Sequence, residues 1–104
     1  MARRREVKWG APALEDLIAA AEYIARDSRH YAAALVRDAR AAARSLDHFA
    51  ERGRLLPQLG PNVRELFVQS YRLIYEVHED AVDIVAFVHG ARDLAAWWER
   101  EPRR

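Results

Sequence analysis

The segment VRELFVQSYRLIYEVHEDAVDIVAFVH, residues 63–89, is the most informative part of the sequence for the architecture. Its apolar residues recur with a period of two, and β-branched and aromatic types are abundant, which is typical of β-strands. Polar breaks at Gln69-Ser70 and at residues 79–81 divide the segment. The first break is the weaker boundary, because tight hairpin turns prefer glycine or asparagine. We therefore predict an antiparallel meander of three strands, Val63–Val68, Tyr71–His78 and Val82–His89.

The middle strand indicates what the sheet packs against. Side chains of a strand alternate between its two faces. One face is apolar, with Tyr71, Leu73, Tyr75 and Val77, and is expected to lie on a helical layer. The other face is mixed, with Arg72, Ile74, Glu76 and His78, and is expected to be partly solvated.

A first amphipathic helix is predicted before the meander. Pro12 suits the first helical position. The apolar residues that follow have the spacing of one helix face: Leu14, Leu17, Ile18, Ala21, Ile24 and Ala25.

A second helix follows after a break of about four residues, so the two helices form an antiparallel hairpin. Ser28 is a suitable N-terminal cap. The helix is expected to run to about Arg52, with Gly53 as its stop. Its apolar positions are Ala32, Leu35, Val36, Ala39, Ala43, Leu46, Phe49 and Ala50. Many of these are alanine, which allows a close approach of the helices or of a partner.

Three shorter segments complete the chain. Val7–Gly10 is expected to be a strand, Leu55–Asn62 a loop, and Asp93–Glu101 a short helix that Asp93 caps and Pro102 ends. The order of elements predicts an α+β fold with helices packed on a sheet. Residues 1–104 are expected to form a single domain.

Composition excludes several classes of protein. The chain has 104 residues and no cysteine, so disulfides and thiolate metal sites are excluded. No apolar run approaches the about twenty residues that a membrane span needs. The basic run Arg3–Arg5 is not followed by an apolar stretch, so no signal peptide is predicted and a cytoplasmic location is expected.

Charge and histidine placement limit the ligands. The formal net charge is +1, which argues against direct binding to nucleic acid. The four histidines fall on different predicted elements and lack metal-ligand spacing. We therefore expect neither a metal site nor a cofactor.

Arginine and aromatic residues form the candidate functional site. Arg72 begins the middle strand and Arg92 follows the last strand, so both are expected at one edge of the sheet beside His89. Guanidinium groups so placed could hold an anion or an acidic partner. Trp97 and Trp98 of the terminal helix are expected to lie next to them.

The alternative interpretation of these arginines is structural. Arg72 could pair with Glu76 on the same strand face, and Arg64 could pair with a carboxylate. The sequence leaves both interpretations open.

Two runs resemble the RelE/ParE toxin superfamily: VRELFVQSYRLIYEV at residues 63–77 and DIVAFVHGARD at residues 83–93. Trp9 and the Gly53-Arg54 pair ahead of Pro57 also fit, and the likeness covers nearly the whole chain. The resemblance implies two helices packed on a small antiparallel sheet. It also implies a stable toxin of a type II toxin–antitoxin operon, held inactive by a cognate, ParD-like antitoxin.

One branch of the superfamily, the RelE-like toxins, cuts mRNA in the ribosomal A site with a basic and aromatic cluster. Arg72 and Arg92 match two arginines of that cluster. The positions of its lysines carry Val63 and Glu65 here, and Trp98 stands in place of a tyrosine and lacks a hydroxyl for proton transfer. A nuclease would use Arg72, Arg92 and His89.

The ParE-like branch inhibits DNA gyrase by binding it and has no established catalytic residues. The Arg64-Glu65 pair, the His89–Arg92 ending and the long hairpin are closer to this branch. We therefore expect a gyrase inhibitor rather than an enzyme, and an antitoxin helix in an apolar groove. The expected target-binding residues are Arg72, His89, Arg92, Trp97 and Trp98. A ribosome-dependent mRNA endonuclease is the alternative, and a toxin fold with another target stays open.

Overall fold

The computed structural model describes residues 4–100 and has the predicted α+β architecture. Each of the four predicted strands agrees with the structure to within one residue at either end. The strands are β1 (Glu6–Trp9), β2 (Arg54–Leu55), β3 (Val63–Val68), β4 (Tyr71–Val77) and β5 (Ala81–His89). The helices are α1 (Ala11–Ala25), α2 (Arg29–Ser45) and α3 (Leu94–Arg100), and a 3₁₀ turn covers Ala50–Arg52.

The strands form a five-stranded sheet in the order β1-β5-β4-β3-β2. β1 runs parallel to β5, and the other neighbours are antiparallel. The predicted meander is therefore confirmed, with the N-terminal strand added at one edge. β2 at the other edge was not predicted, because a two-residue strand is too short to display a period of two.

A first core fills the space between the sheet and the α1–α2 hairpin. Its fully buried members include Leu35 of α2, Leu73 and Tyr75 of β4, and Ile84 of β5. Tyr71 and Val77 pack against the same core. The apolar face of β4 thus lies on the helices, as predicted.

A second core lies on the opposite face of the sheet. Leu56 and Leu59 of the loop after β2, together with Leu94 and Trp97 of α3, cover that face. Ile74 is fully buried beneath them. The prediction that this face is partly solvated is therefore wrong at its centre, because a loop and a short helix supply a covering layer that strand periodicity does not reveal.

α1 begins where predicted but buries a different set of residues. Pro12 lies in its first turn. Its buried residues are Ala13, Leu17 and Ala20. The predicted stripe residues Leu14 and Ile18 are exposed, because the helix turns its alanines toward the sheet and leaves part of its apolar stripe outside.

α2 begins at the predicted cap, where Ser28 Oγ accepts a hydrogen bond from the backbone N–H of Tyr31 (3.1 Å). Its predicted end near Arg52 is wrong, since the helix ends at Ser45. The N–H of Leu46 bonds to the carbonyl oxygen of Ala43, three residues back (3.0 Å), which tightens the chain out of the α-helix.

The tightened segment after α2 still contributes to the core. Leu46 and Ala50 are fully buried, whereas Phe49, which was placed on the same apolar stripe, is exposed. Two of the three core positions predicted in this segment are therefore buried.

Gln69 and Ser70 form the two-residue turn between β3 and β4 despite their unfavourable residue types. Gln69 adopts a φ of 55°, in the left-handed region. Its side-chain amide donates to Asp38 Oδ2 of α2 (2.9 Å), and the N–H of Gly90 donates to the carbonyl oxygen of Ser70 (2.8 Å). These contacts hold a turn that local propensity disfavours.

α3 has the predicted cap, because Asp93 Oδ1 accepts from the N–H of Ala96 (3.3 Å). Its predicted end at Glu101 and Pro102 lies outside the described residues, as does Arg3 of the basic run. Between residues 4 and 100, no helix is long and apolar enough to cross a bilayer. Over the same range, no group of three metal-ligating side chains is placed to hold an ion.

Candidate functional site

An apolar groove of about 500 Å³ opens between α1, α2 and the end of β1. The exposed Leu14 and Ile18 of α1 line it, together with Val36 of α2 and Trp9 at the end of β1. Such a groove has the apolar lining that accepts the apolar face of an amphipathic helix. Exposed apolar surface of this kind in a small protein commonly marks an interaction site.

Charged residues of opposite sign flank the groove. Glu22 lines it on α1 and Arg40 lines it on α2. Farther along α2, Arg40 and Arg44 border a smaller cavity beside Val7 and Trp9 of β1. The groove therefore has an acidic side chain on its α1 side and a basic one on its α2 side.

A buried ion network lies on the opposite face of the sheet. Glu65 of β3 has a side chain that is only 1% exposed. It accepts hydrogen bonds from Arg54 of β2 through Oε2 and from Arg72 of β4 through Oε1 (3.3 Å). A buried carboxylate requires such partners, because an unpaired charge is costly to desolvate.

The guanidinium of Arg72 also makes contacts that hold the fold together. Its Nη2 donates to the carbonyl oxygen of Gly90 (3.0 Å), which links β4 to the turn after β5. Its Nε is buried and has no hydrogen-bond partner among the described residues. Its guanidinium carbon lies 5.6 Å from the ring centroid of Phe67, within the range of a cation–π contact.

The carboxylate that Arg72 contacts is Glu65 of β3 rather than the predicted Glu76 of its own strand. Glu76 lies four residues away, about 13 Å along the strand, and its Oε1 lies 3.4 Å from Nε2 of His78. In the observed register Phe67 lies opposite Arg72, so Glu65 is the diagonal neighbour of Arg72 across the strand pair. Diagonal neighbours are within reach of long side chains.

Arg64 does not fit its predicted pairing either. Its Nη1 donates to the carbonyl oxygens of Glu51 (3.0 Å) and Gly53 (2.7 Å), and among residues 4–100 it forms no ion pair with a carboxylate. It fastens the segment before β2 to β3.

The predicted cluster of Arg72 with His89 is not formed on one face. His89 lies opposite Tyr71 in the β4–β5 register, whereas Arg72 lies opposite Val88. Because successive residues point to opposite faces, Arg72 and His89 point away from each other. The His89 ring packs edge-on against Tyr71 with a centroid distance of 5.4 Å.

The remaining predicted site residues lie in the turn after β5 and in α3. Arg92 is exposed, and its N–H bonds to the carbonyl oxygen of His89 (3.1 Å). Trp97 is buried in the second core, and Trp98 packs against it with ring centroids 5.9 Å apart. Arg92 is therefore accessible to a target, whereas Trp97 serves packing in this conformation.

Tyr75 joins the sheet to the segment after α2. Its hydroxyl donates to the carbonyl oxygen of Ala50 (2.8 Å) and accepts from the N–H of Gly53 (2.9 Å). Burial raises the pKa of this phenol above its ordinary value of 10.0, and the hydrogen bond from Gly53 opposes part of that rise. Gly53 leaves the space for this contact, since a Cβ there would lie 2.7 Å from the carbonyl oxygen of Glu65.

The family model for the ParE toxin of type II toxin–antitoxin systems, parDE, matches residues 7–94. The chain belongs to the ParE toxin family. The chromosomal ParDE TA system from P. aeruginosa contains a chain with the same fold, at a TM-score of 0.69 and 22% sequence identity. That match covers 83% of this chain and 96% of the other. None of the curated proteins matches this chain significantly.

Within the ParE family fold, the two positions that carry lysines in RelE-like toxins are internal here. Val63 is fully buried in the second core, and Glu65 is buried as the centre of the ion network. Neither side chain is available to contact a phosphate. The outward-facing side chains near them are Phe67 and Arg54.

Sequence reasoning missed Phe67 and the partners of Arg72. Phe67 is 62% exposed although it lies between the apolar residues Leu66 and Val68 of β3. The signal was present in the alternation of β3, since Glu65 and Phe67 share a face and Leu66 and Val68 share the other. A strand register was needed to see that this face meets Arg72.

Proposed function

We propose that this ParE-family toxin acts in the cytoplasm by binding DNA gyrase and inhibiting it, and that a cognate antitoxin neutralises it. The antitoxin places an amphipathic helix in the groove between α1 and α2. The observation that carries the antitoxin proposal is the set of exposed apolar side chains along that groove, with Leu14 46% exposed. An apolar groove of this kind favours a helical partner with a matching apolar face.

The chemistry of the RelE-like positions supports inhibition by binding over RNA cleavage. Arg72 is engaged by Glu65 and by the carbonyl oxygen of Gly90, so two of its guanidinium nitrogens already have acceptors within the protein. A phosphoryl-transfer site needs cationic or proton-transferring groups aimed at the reacting phosphate. The exposed guanidinium of Arg92 suits a carboxylate on a protein surface as well as it suits a phosphate.

The antitoxin proposal is tested with a matched pair of substitutions. Leu14→Glu places a charge in the groove, and Leu55→Glu places one on the edge strand β2, where Leu55 is 47% exposed. We expect Leu14→Glu to weaken the complex with the antitoxin encoded beside this gene by about 30-fold or more, as loss of a central apolar contact does. Leu55→Glu is expected to change it less than about threefold. Equal effects of the two substitutions would contradict the groove assignment.

The target proposal is tested by two assays with the same purified protein. We expect the toxin to reduce supercoiling by gyrase or to accumulate cleaved DNA, and to leave ribosome-bound mRNA intact. Addition of excess antitoxin should restore supercoiling. Codon-specific cuts in a translating extract, with gyrase unaffected, would instead assign the RelE-like activity to this chain.

A further inference from the structure

We propose that Phe67, held by Arg72 and Gly90 on the sheet face opposite the helical hairpin, is the anchor of the target-binding surface. Its partner is an apolar pocket ringed by carboxylates on a protein target. This inference rests on the proposed function and names the surface that performs it.

Phe67 is exposed, and its ring has neighbours on two sides. It is 62% exposed, yet the Arg72 guanidinium lies 5.6 Å from its centroid. On another side it approaches Gly90, where an added Cβ would lie 3.4 Å from the ring edge. These neighbours restrict the ring, and a side chain that is restricted before binding loses less conformational freedom when it binds.

The buried network keeps Arg72 in that position. Glu65 takes one arm of the guanidinium and the carbonyl oxygen of Gly90 takes the other. The group is thus held by two acceptors, with its central carbon 5.6 Å from the centroid of the Phe67 ring. Arg72 and Glu65 are positioning residues for Phe67 and need not contact the target themselves.

The charge around Phe67 selects the type of partner. Arg54, whose side chain is 71% exposed, and Arg72 outnumber the single carboxylate of Glu65, which is buried between them. The surface therefore carries an aromatic ring and a small excess of positive charge, the composition of a protein–protein hot spot. A nucleic-acid site would need several unneutralised cations along a phosphate backbone.

The face that carries Phe67 is separate from the antitoxin groove. Phe67 points out of one side of the sheet, whereas the groove lies in the helical layer on the other side. A substitution of Phe67 should therefore affect target binding without affecting the groove. This separation makes the inference testable with single substitutions.

Phe67→Ala is compared with Phe49→Ala in the full-length protein. Phe49, in the segment between α2 and the 3₁₀ turn, is 63% exposed, so the control removes the same side chain at the same exposure. We expect Phe67→Ala to raise the toxin concentration that half-inhibits supercoiling by about 10-fold or more. Phe49→Ala should change it less than about twofold. Phe67→Trp, which keeps an aromatic face for the guanidinium, should stay within about threefold of the original protein.

Two further measurements separate the proposed partner from others. Both alanine variants should melt within about 3 °C of the original protein and bind the antitoxin with unchanged affinity, because both rings are exposed. Inhibition that responds equally to the two substitutions would overturn the inference. So would a selective loss by Phe67→Ala of antitoxin binding, of self-association or of salt-sensitive binding to naked DNA, since each assigns the ring to a different partner.

Failure of the proposed function gives a different pattern. If the unsubstituted toxin arrests growth in cells but leaves gyrase unaffected, the gyrase assignment falls, and growth arrest then becomes the readout for Phe67. Loss of growth arrest with Phe67→Ala, but not with Phe49→Ala, would support the same surface acting on another protein. Growth arrest retained by both variants would overturn it.

Discussion

Replacement of Glu65 by glutamine tests how much the buried ion network contributes to stability. Glutamine keeps the shape of the side chain and removes its charge. The Glu65 side chain is 1% exposed and accepts from both Arg54 and Arg72. After the substitution, two guanidinium groups lose their common counter-charge, and an amide N–H₂ group replaces an oxygen acceptor.

The expected loss is set by how well each arginine can be solvated. Breaking a fully buried pair costs about 3–5 kcal/mol. Arg54 is largely exposed and can be solvated by water, whereas Arg72 is only 20% exposed and keeps the carbonyl oxygen of Gly90. We therefore expect the lower end of that range, about 3 kcal/mol. For a domain of this size, that corresponds to a fall in melting temperature of about 12–24 °C.

Thermal unfolding followed by circular dichroism measures the effect, and Glu6→Gln is the matched control. Oε1 of Glu6 lies 3.8 Å from Nζ of Lys8, and both side chains are mostly exposed. An exposed pair of this kind contributes less than about 1 kcal/mol. A Glu65→Gln protein that melts within about 3 °C of the unsubstituted one would refute the reasoning, because the buried carboxylate would then contribute no more than a surface charge.

Two other predictions concern the Tyr75 contact. Because burial raises the pKa of Tyr75 above its unfolded value of 10.0, its contribution to stability is complete below pH 10 and is lost as the pH rises through the folded pKa. Chemical denaturation of Tyr75→Phe at pH 7 to 11 should show a smaller decrease in the free energy of unfolding at alkaline pH. At neutral pH, the free energy of unfolding should be about 1–3 kcal/mol lower, because the N–H of Gly53 and the carbonyl oxygen of Ala50 lose their partner. Gly53→Ala should reduce the melting temperature more than Tyr75→Phe does, because its Cβ would collide with the Tyr75 hydroxyl and the carbonyl oxygen of Glu65; equal melting temperatures would contradict this.

The strands and the helix caps were predictable because their causes are local. Alternation over six or more residues fixed β3, β4 and β5 to within one residue. Ser28 and Asp93 cap their helices through contacts only three residues along the chain. Such signals depend on backbone geometry that neighbouring residues share, so no knowledge of the tertiary fold is needed to find them.

The candidate site was less predictable because its contacts depend on strand register. Arg72 and Glu76 share a face of one strand, and sequence reasoning paired them for that reason. The observed partner, Glu65, lies on the neighbouring strand, and the β3–β4 register brings it beside Arg72. In the β4–β5 register, His89 lies on the helical side of the sheet and Arg72 on the other side. The two residues are close along the strands but point to opposite faces.

The apolar stripe of α1 shows how a sequence pattern can carry information about a partner. Periodicity in the sequence identifies the apolar face of a helix. Only the side chains that face the sheet are buried in the core. In α1 the sheet takes Ala13, Leu17 and Ala20, and it leaves Leu14 and Ile18 outside. Small alanines at the inner positions let the helix approach the sheet closely, so the larger residues are free to face outward. The apolar residues of α1 that the core does not bury therefore mark a surface that a partner helix would cover. In this chain, Leu14 and Ile18 line the groove.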